Sequence, residues 1–567
     1  MFSTLTQTAQ KHLQTEEGID GAVIDWSPPQ NPEHGDIATS IALRCAKKVN
    51  KSPREIADGL VKSLSGHPDV ESAEAAGAGY VNIRLKASAF LAEIAGVEEA
   101  IEPKKVNAKD APIILEYSGP NIAKPLGIHH IIGGVVGQAL SNLYRHDGAN
   151  VVAWNYLGDW GTQFGKLAVA YEKWGEGKPV KDQTIDDLLA LYVRFHKELE
   201  TNESLENEGR EAFRKLEGGD ETLRAFWKDV VTVTKASLES IYARLHVSFD
   251  IDLGESFYED KMGVVVEEGR KKGVFVEGKE GALIVEFPEE KGMPPYLILK
   301  GDGATLYSTR DLAQMRYRID TYKPCAIYIV TDIAQKLHFE QLAETCAMLG
   351  WQMPEFENVL TGRMRFADAS MSTRKGTVLK LEHVLDEAVE RATAVIAERG
   401  ESIQTDNPKE LAEMMGVGAL VYGILSQNRK MDMVFDWDKM LSFEGNSAPY
   451  LQYTYARAKS VLRKGDAEGK EMKVGKVDTL TPHERRLFTH LLQFAGVLEA
   501  SRTEKLPHKL ANYLYELAQR YNAFYNVDSI LDAEEPQRGL RLRLTSLTAA
   551  VLHAGSSLLT LRVPERM

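Results

Sequence analysis

Two adjacent histidines, His129 and His130, are the residues of this chain whose type and position are best suited to chemistry. They open a segment whose apolar residues recur at helical spacing, shortly after the polar loop residues Asn121 and Lys124. An imidazole at a helix N-terminus can donate a hydrogen bond to a phosphate, whose charge the helix dipole already favours. An arbitrary His-His pair is more often two solvated residues at the start of a helix. Here three glycines lower the stability of the helix that follows, which is easier to explain if a ligand or a backbone packs closely against it. These glycines are Gly133, Gly134 and Gly137.

The elements around the histidines follow the order strand, polar loop, helix, strand over residues 113–164. The first apolar run ends in Glu116, and a second β-rich run covers residues 151–157. This order is typical of the βαβ unit of a parallel nucleotide-binding sheet, in which ligands bind beyond the carboxyl ends of the strands. The pattern therefore predicts that Glu116 and the two histidines lie at one edge of such a sheet.

A second candidate group is Tyr307 and Asp311, which are four residues apart. If a helix starts here, both side chains share one face. Asp311 and Glu116, each near the end of a sheet strand, could then meet in one pocket, where two carboxylates share a proton or bind a cation. A guanidinium suits them, because carboxylates accept its planar fork bidentately. The alternative is an ordinary aspartate in the first turn of a helix.

A third candidate is the polar turn from Met371 to Gly376, which offers two cations and two hydroxyls. Such a turn can hold a leaving pyrophosphate, where negative charge develops in the transition state. A lone basic turn is usually solvated surface, so its significance depends on a pairing with the His-containing helix start.

Length and charge limit the classes of protein to consider. A chain of 567 residues is too long for one core and suggests three or four domains. The net charge of −14 argues against a nonspecific polyanion binder, but a local patch can still bind nucleic acid. Residues 481–567 carry 11 Lys+Arg against 9 Asp+Glu, so this end could face a polyanion. Its tyrosines could stack on bases or fill the core of a helix bundle.

The cysteines and the apolar pattern predict a cytoplasmic protein. The three cysteines form no CxxC pair, which disfavours a zinc knuckle and suggests small core residues in a reducing compartment. The first residues lack the apolar stretch of a signal peptide, and no window approaches 18 apolar residues, so no membrane span is expected.

Composition shifts divide the chain into five predicted segments and suggest a fold that is α/β plus all-α. A small N-terminal α/β domain covers residues 1–97, and a charged linker covers 98–111. A Rossmann-type catalytic domain follows at 112–380, with an insertion at about 166–300 between two halves of its parallel sheet, which is expected to resume near Tyr307. A helical connection at 381–440 leads to a C-terminal helical bundle at 441–567.

Nine segments, in order over nearly the whole chain, resemble the arginyl-tRNA synthetases, a family of class I aminoacyl-tRNA synthetases. These segments are NPEHGDIATSIALRCAKK, GAGYVNIRL, EYSGPNIAKP followed by the His pair, NYLGDWGTQFG, LYSTRDLA, MSTRKG, PYLQYTYAR, YLYELAQRYNAFYN and VPERM. One such motif is weak evidence, but this many in register are specific. The resemblance implies a ligase that activates L-arginine with ATP and Mg²⁺, without zinc, and transfers it to tRNA(Arg). It also implies a monomer that usually needs bound tRNA before it activates arginine.

The resemblance assigns a role to each matching position. Glu116, Tyr307 and Asp311 match residues that hold the substrate guanidinium, and Asn121 and Gln335 match those that hold its α-amino group. The ATP-binding positions are Gly127, His129, His130, Gly134, Met371, Ser372 and Lys375. The catalytic positions are His129, His130, Lys124, Arg374 and Lys375. The tRNA-binding positions are Tyr80 and Asn82, at the tRNA elbow, and Tyr450, Tyr453, Tyr525 and Met567, at the anticodon.

Two positions depart from the family pattern. The usual His-x-Gly-His reads Gly127-Ile128-His129-His130, which suggests that His129 supplies the imidazole missing at position 127. Ser370 stands where the KMSKS motif has its first lysine, and Lys124, Arg374 or Lys375 could replace that charge. These departures leave a second interpretation open, in which the protein is a tRNA-binding paralogue that has lost catalysis. A small-molecule nucleotidyltransferase is the third reading, against which the tyrosine-rich helical end argues.

Overall fold

The computed structural model describes residues 2–29, 31–366, 379–400, 403–470 and 472–567. Along the chain, a small N-terminal unit precedes a central unit built on a parallel sheet, and a helical unit forms the remainder. The predicted combination of α/β and all-α parts is therefore confirmed. None of the helices among the described residues is both long and apolar enough to cross a membrane.

The N-terminal unit packs helices on a three-stranded antiparallel sheet of order β1-β3-β2. Its elements are α1 (Ser3–Thr15), β1 (Ile37–Thr39), α2 (Ile41–Val49), α3 (Pro53–Leu64), β2 (Val70–Ala76), β3 (Tyr80–Leu85), α4 (Ala87–Ala92) and α5 (Ile94–Ile101). The start of helix α3 is capped, because the Ser52 hydroxyl accepts from the Arg54 amide and Pro53 occupies the first turn. Helix α5 runs through the predicted boundary at residue 97.

The central unit contains a five-stranded parallel sheet of order β11-β10-β4-β5-β6. The elements up to β6 are β4 (Ile113–Glu116), α6 (His130–His146), β5 (Val151–Leu157), α7 (Thr162–Trp174), α8 (Ile185–Leu199), α9 (Ser204–Glu217), α10 (Glu221–Leu245) and β6 (Ile251–Gly254). Those after it are α11 (Met262–Lys271), β7 (Phe275–Glu277), β8 (Leu283–Val285), β9 (Tyr296–Leu299), α12 (Tyr307–Tyr322), β10 (Ala326–Asp332), α13 (Lys336–Met348), β11 (Glu355–Thr361) and β12 (Met364–Phe366). Strand order reverses between β4 and β10, and open α/β sheets bind ligands at such a reversal.

Two expectations about the middle of the chain are wrong. Strand β6 lies inside the predicted insertion but is the edge strand of the parallel sheet, where it pairs with β5. It has only four residues, two of them Asp252 and Gly254, so its sequence carries little strand signal. The sheet also does not resume near Tyr307, because this residue is the first of helix α12.

Helices dominate after residue 380, as predicted. They are α14 (Leu381–Arg399), α15 (Pro408–Leu425), α16 (Trp437–Met440), α17 (Ala448–Ala467), α18 (Pro482–Leu491), α19 (Phe494–Thr503), α20 (His508–Val527) and α21 (Gln537–Leu558). One short strand, β13 (Met433–Phe435), pairs in parallel with β12 of the central unit. Arg485 of α18 reaches the N-terminal unit, where it donates to the Asp36 carboxylate at 2.9 Å and to the Leu85 carbonyl at 2.7 Å.

Candidate active site

A cavity opens at the carboxyl ends of the parallel strands, and every strand of that sheet contributes to its wall or borders it. The lining includes Glu116 at the end of β4, Tyr156 of β5, Glu255 directly after β6, Asp332 at the end of β10 and Thr361 at the end of β11. This is the edge at which sequence analysis predicts a ligand site.

The cavity collects predicted residues that are up to about two hundred positions apart in the chain. Seven of them line it, namely Glu116, Asn121, His129, His130, Tyr307, Asp311 and Gln335. The arginine-binding and ATP-binding candidates therefore share one continuous space.

The loop between β4 and α6 carries Asn121 into the cavity by an unusual backbone path. Ser118 and Gly119 both adopt left-handed conformations, with φ of 76° and 60°. Asn121 then forms an isolated parallel bridge with Gly158, just after β5. A Cβ on Gly158 would lie 2.4 Å from Asn121 Oδ1, so only glycine allows this close approach.

His130 is the first residue of α6, and its imidazole is held by its own loop. Its Nδ1 lies 3.0 Å from the Gly127 amide nitrogen and 3.1 Å from the Gly127 carbonyl oxygen, so this one residue can hold either tautomer of the ring. Burial, together with the neighbouring His129, lowers the pKa of His130 to about 4. At neutral pH His130 is therefore an uncharged imidazole. The ring of His129 lies 4.0 Å from that of His130, and its partial burial also lowers its pKa.

The same loop pairs with the chain around residue 380, after the basic turn. The Ile128 amide donates to the Leu379 carbonyl, and the Leu381 amide donates to the Leu126 carbonyl, both at 2.8 Å. Lys380 also forms an ion pair at 2.6 Å with Asp186 of α8. The histidine loop is thereby fixed both to the segment that follows the basic turn and, through it, to a helix of the predicted insertion.

One face of α12 supplies the acidic side of the cavity. Tyr307, Asp311, Gln314 and Arg318 follow one another at spacings of four, three and four residues, which places them on one helical stripe. The start of the helix is anchored to β9, because the Ser308 and Thr309 hydroxyls donate to backbone carbonyls of that strand.

Glu116 already has a guanidinium partner within the chain. The fully buried Arg318 donates to Oε2 of Glu116, and Gln314 donates to the same oxygen at 3.2 Å. Burial raises the pKa of Glu116, the Arg318 charge opposes that rise, and Asp311 adds to it. Arg318 is not among the residues predicted from sequence, although its spacing of seven residues from Asp311 places both on one face of a helix.

A second carboxylate, Glu255, was also missed. It lines the cavity and pairs with Arg310 at 3.4 Å. Burial raises its pKa to about 7, with Arg310 opposing and Asp311 and Asp159 contributing to the rise. The hydroxyl of Tyr156, which also lines the cavity, is buried without a hydrogen-bond partner in the described part of the chain. This wall therefore combines an acid that titrates near neutrality with an unsatisfied phenol.

Other predicted residues lie elsewhere or outside the described residues. Lys124 lies 5.5 Å from the centre of the Tyr192 ring in α8, and Gly134 faces Val247 rather than the cavity. Gly127 likewise is not among the residues that line the cavity. Ser370, Met371, Ser372, Arg374 and Lys375 fall within residues 367–378, which the structure does not describe.

The predicted tRNA-binding residues occupy two surfaces. On β3, Tyr80 is 48% exposed but Asn82 is only 4% exposed, so the Asn82 side chain is not presented to a partner. In the helical unit, the Arg457 guanidinium lies 4.7 Å from the Tyr453 ring and 5.0 Å from the Tyr525 ring. The other two predicted residues are Tyr450, which accepts from Asn522 at 3.1 Å, and the partly buried Met567.

Three family models match the chain in succession. Residues 3–85 match "Arginyl tRNA synthetase N terminal domain", residues 96–437 match "tRNA synthetases class I (R), catalytic domain", and residues 451–567 match "DALR anticodon binding domain". The central match alone covers more than half of the chain. The three matches follow the same order as the N-terminal, central and helical units of the fold.

Curated relatives and solved structures agree with these matches. The chain is 38% identical to the arginine–tRNA ligase of Fusobacterium nucleatum over 99% of both chains, and 39% identical to that of Exiguobacterium sibiricum over 95% of both. Its fold superposes on Thermus thermophilus arginyl-tRNA synthetase with a TM-score of 0.80, at 25% identity and full coverage of both chains. The match to the Plasmodium falciparum arginyl-tRNA synthetase has a TM-score of 0.78 at 22% identity, covering 100% of this chain and 98% of that one. With its parallel sheet, its cavity and these full-length matches, the chain belongs to the arginyl-tRNA synthetases, a family of class I aminoacyl-tRNA synthetases.

Proposed function

We propose that this protein is an arginine–tRNA ligase that works in two steps within the cavity at the carboxyl ends of β4 and β10. The arginine carboxylate attacks the α-phosphorus of ATP, which gives arginyl-adenylate and pyrophosphate. A ribose hydroxyl of the terminal adenosine of tRNA(Arg) then takes the arginyl group. The protein contributes mainly position and charge, since the two steps need no covalent intermediate on a side chain.

The side of the cavity formed by α12 suits the guanidinium of arginine. Asp311 offers a carboxylate and Tyr307 a hydroxyl from adjacent turns of one helix. Glu116 adds a second carboxylate, although one of its oxygens already accepts from Arg318 and Gln314. We assign the α-amino group to Asn121 and Gln335, which also line the cavity. Lysine fits poorly, because a compact ammonium cannot match the planar fork of a guanidinium.

The side of the cavity formed by α6 suits the phosphates of ATP, which arrives as its magnesium complex. His130 presents a neutral imidazole at the start of α6, where backbone amides and the helix dipole favour an anion. His129 adds a second imidazole, which supports the idea that it replaces the one missing at Gly127. We further propose that Arg374 and Lys375 of the basic turn neutralise the leaving pyrophosphate.

The three matched family models support the following division of labour. We propose residues 1–97 as the domain for the tRNA elbow and residues 441–567 as the anticodon-binding domain. Residues 112–380 would form the catalytic domain, with 98–111 as a linker and 381–440 as a helical connection. The matches at 3–85, 96–437 and 451–567 support this order. We expect the protein to act as a monomer.

The full-length match to named arginine–tRNA ligases carries this proposal, and aminoacylation tests it. The purified protein is incubated with labelled arginine, MgATP and tRNA(Arg), and each component is omitted in turn. We expect charged tRNA only in the complete mixture. Tight tRNA binding without charging would instead favour the paralogue that has lost catalysis, and adenylate formation on a metabolite without any tRNA would favour the nucleotidyltransferase.

The aromatic pair around Arg457 gives a prediction about tRNA. Tyr525 is 40% exposed, so replacing it with Ala removes an available stacking surface without opening the core. Because stacking of one base is worth about 1–3 kcal/mol, we expect Tyr525→Ala to raise the KM for tRNA about tenfold. The KM for arginine should stay unchanged. Val527→Ala is the matched control, since Val527 is 65% exposed on the same helix. Equal tRNA KM values for both variants would remove Tyr525 from the interface.

The raised pKa of Glu255 gives a prediction about pH. Its pKa of about 7 means that Glu255 is mostly neutral at pH 6 and mostly ionised at pH 8. A cationic substrate binds better to the ionised form, so the KM for arginine should fall about three- to tenfold between these pH values. We expect Glu255→Gln to flatten this dependence, while Glu259→Gln, a carboxylate paired with Arg224, should keep it. The same slope in Glu255→Gln and the unaltered protein would contradict the assignment.

A further inference from the structure

A chain of hydrogen bonds stands behind Asp311 and connects three elements. His338 of α13 lies 2.6 Å from Asp311 Oδ2 through its Nε2, and its Nδ1 lies 3.1 Å from the hydroxyl of Tyr296 in β9. Neither His338 nor Tyr296 is among the candidate residues predicted from sequence. The three residues are far apart in the chain, so the arrangement depends on the tertiary fold.

The three groups differ in burial, with Tyr296 in the core and His338 and Asp311 closer to the cavity. Tyr296 is 3% exposed, whereas the side chains of His338 and Asp311 are 15% and 13% exposed. Both His338 and Asp311 line the cavity, and Tyr296 does not. The His338 ring is also held in place by Tyr307, whose ring centre lies 4.8 Å away at a steep angle. His338 therefore connects a buried phenol to the carboxylate that faces the substrate.

Each hydrogen bond in the series from Tyr296 through His338 to Asp311 has its donor on the side of Tyr296. A carboxylate can only accept, so Nε2 of His338 carries the proton that bonds to Asp311. In the neutral ring Nδ1 is then an acceptor, which requires Tyr296 to donate. Burial and the charge of Asp311 raise the pKa of Tyr296 well above its ordinary value, so its hydroxyl keeps this proton. Tyr296 thus fixes both the tautomer and the orientation of the imidazole.

We propose that His338 is a positioning residue for arginine, which holds Asp311 in one rotamer so that its other oxygen faces the substrate guanidinium. The inference rests on the proposed function, in which Asp311 binds that group. A carboxylate at the start of a helix can rotate, and a site whose acceptor is already oriented loses less entropy when the substrate binds. His338 acts through Asp311 and does not itself contact the reacting atoms.

The test is a double-mutant cycle on the full-length enzyme, read as KM for arginine and KM for ATP in aminoacylation. His338→Phe keeps a ring but removes both hydrogen bonds, and Tyr296→Phe removes only the hydroxyl. Since a hydrogen bond to a charged group contributes about 1.5–3 kcal/mol, His338→Phe should raise the KM for arginine about 10- to 100-fold. We expect a smaller rise for Tyr296→Phe and an unchanged KM for ATP in both.

The combination of the two changes separates positioning from simple loss of packing. Because Tyr296 acts only through His338, the double variant should have the same KM for arginine as His338→Phe alone. His338→Gln can place an amide donor near the Nε2 position and should recover part of the loss. Tyr322→Phe, a hydroxyl deletion at the far end of α12, is the control and should change nothing.

Three outcomes would overturn the inference: additive effects of the two changes, an equal rise in the KM for ATP, or no change in the KM for arginine. If His338→Phe folds poorly, Tyr296→Phe tests the inference on its own, because it removes only one oxygen atom, and no rise in its KM for arginine would overturn the inference. Failure of the proposed function looks different, since the unaltered protein would then not charge tRNA with arginine at all.

Discussion

Replacing Asp311 with Ala should raise the KM for arginine about 100- to 1,000-fold while leaving the KM for ATP nearly unchanged. The reason is that Asp311 faces the cavity and offers its carboxylate to a guanidinium, and loss of one partner of a buried charge pair costs about 2–5 kcal/mol. ATP is expected at the other side of the cavity, near His130, and does not depend on this carboxylate. Steady-state aminoacylation with each substrate varied in turn measures both constants.

Asp320→Ala provides a matched control for this change. Asp320 lies on the same helix, but its side chain is 57% exposed and it pairs with Arg316. This control should keep both KM values, because exposed ion pairs contribute little. If Asp311→Ala kept the arginine dependence of the unaltered enzyme, the placement of the guanidinium against α12 would be wrong.

Replacing Arg318 with Met should destabilise the central unit by about 3–5 kcal/mol, the cost of breaking a buried ion pair from one side. Arg318 is fully buried, pairs with Glu116, and lies with its guanidinium 4.4 Å from the centre of the Trp154 ring. Methionine keeps the apolar stem but leaves the Glu116 carboxylate without its countercharge. Urea unfolding followed by circular dichroism measures the change.

Two further variants identify the cause of that loss. Arg316→Met, on the exposed side of the same helix, should be nearly neutral, because its side chain is 39% exposed. Glu116→Gln combined with Arg318→Met should recover much of the stability, since no buried charge is then left unpaired. A double variant no more stable than Arg318→Met would show that the guanidinium stabilises the fold by packing on Trp154 rather than by neutralising Glu116.

The parts of the fold that sequence predicted are those with strong local patterns. The βαβ unit around Glu116 and α6 has apolar runs at its two strands and a clear helical period between them. Strand β6 was missed because a four-residue edge strand with two residues of low β-propensity carries almost no signal. The start of α12 was ambiguous because its first turn gains stability from hydroxyl contacts with β9, which no local pattern reveals.

The residues of the candidate site also fall into two groups, those predicted from sequence motifs and those recognised only in the fold. Seven of the residues assigned from motifs line one cavity, because they belong to segments whose order along the chain fixes their position on the sheet. The residues that tune the site were not visible from sequence. Arg318, His338 and Glu255 act through contacts made across the fold, and a raised pKa near 7 for Glu255 depends on burial that only the tertiary structure creates.

The histidine motif departs from the family pattern at Gly127 and His129. Sequence could say only that Gly127 and His129 exchange the residue types usual at their positions. In the fold, the Gly127 nitrogen lies 3.0 Å from Nδ1 of His130, and the rings of His129 and His130 lie 4.0 Å apart at a tilted angle. The two imidazoles are therefore adjacent at the start of α6, which is compatible with a shared role towards phosphate.

Charging of tRNA(Arg) with each of the twenty amino acids in turn tests the central claim most directly. The assay uses the full-length protein, MgATP and labelled amino acids at equal concentration. We predict charging with arginine alone, with lysine about 10⁴-fold less efficient or worse, because a site built for hydrogen bonds rejects an analogue that cannot form them. Charging with another amino acid, or intact tRNA binding with no charging by any of the twenty, would contradict it.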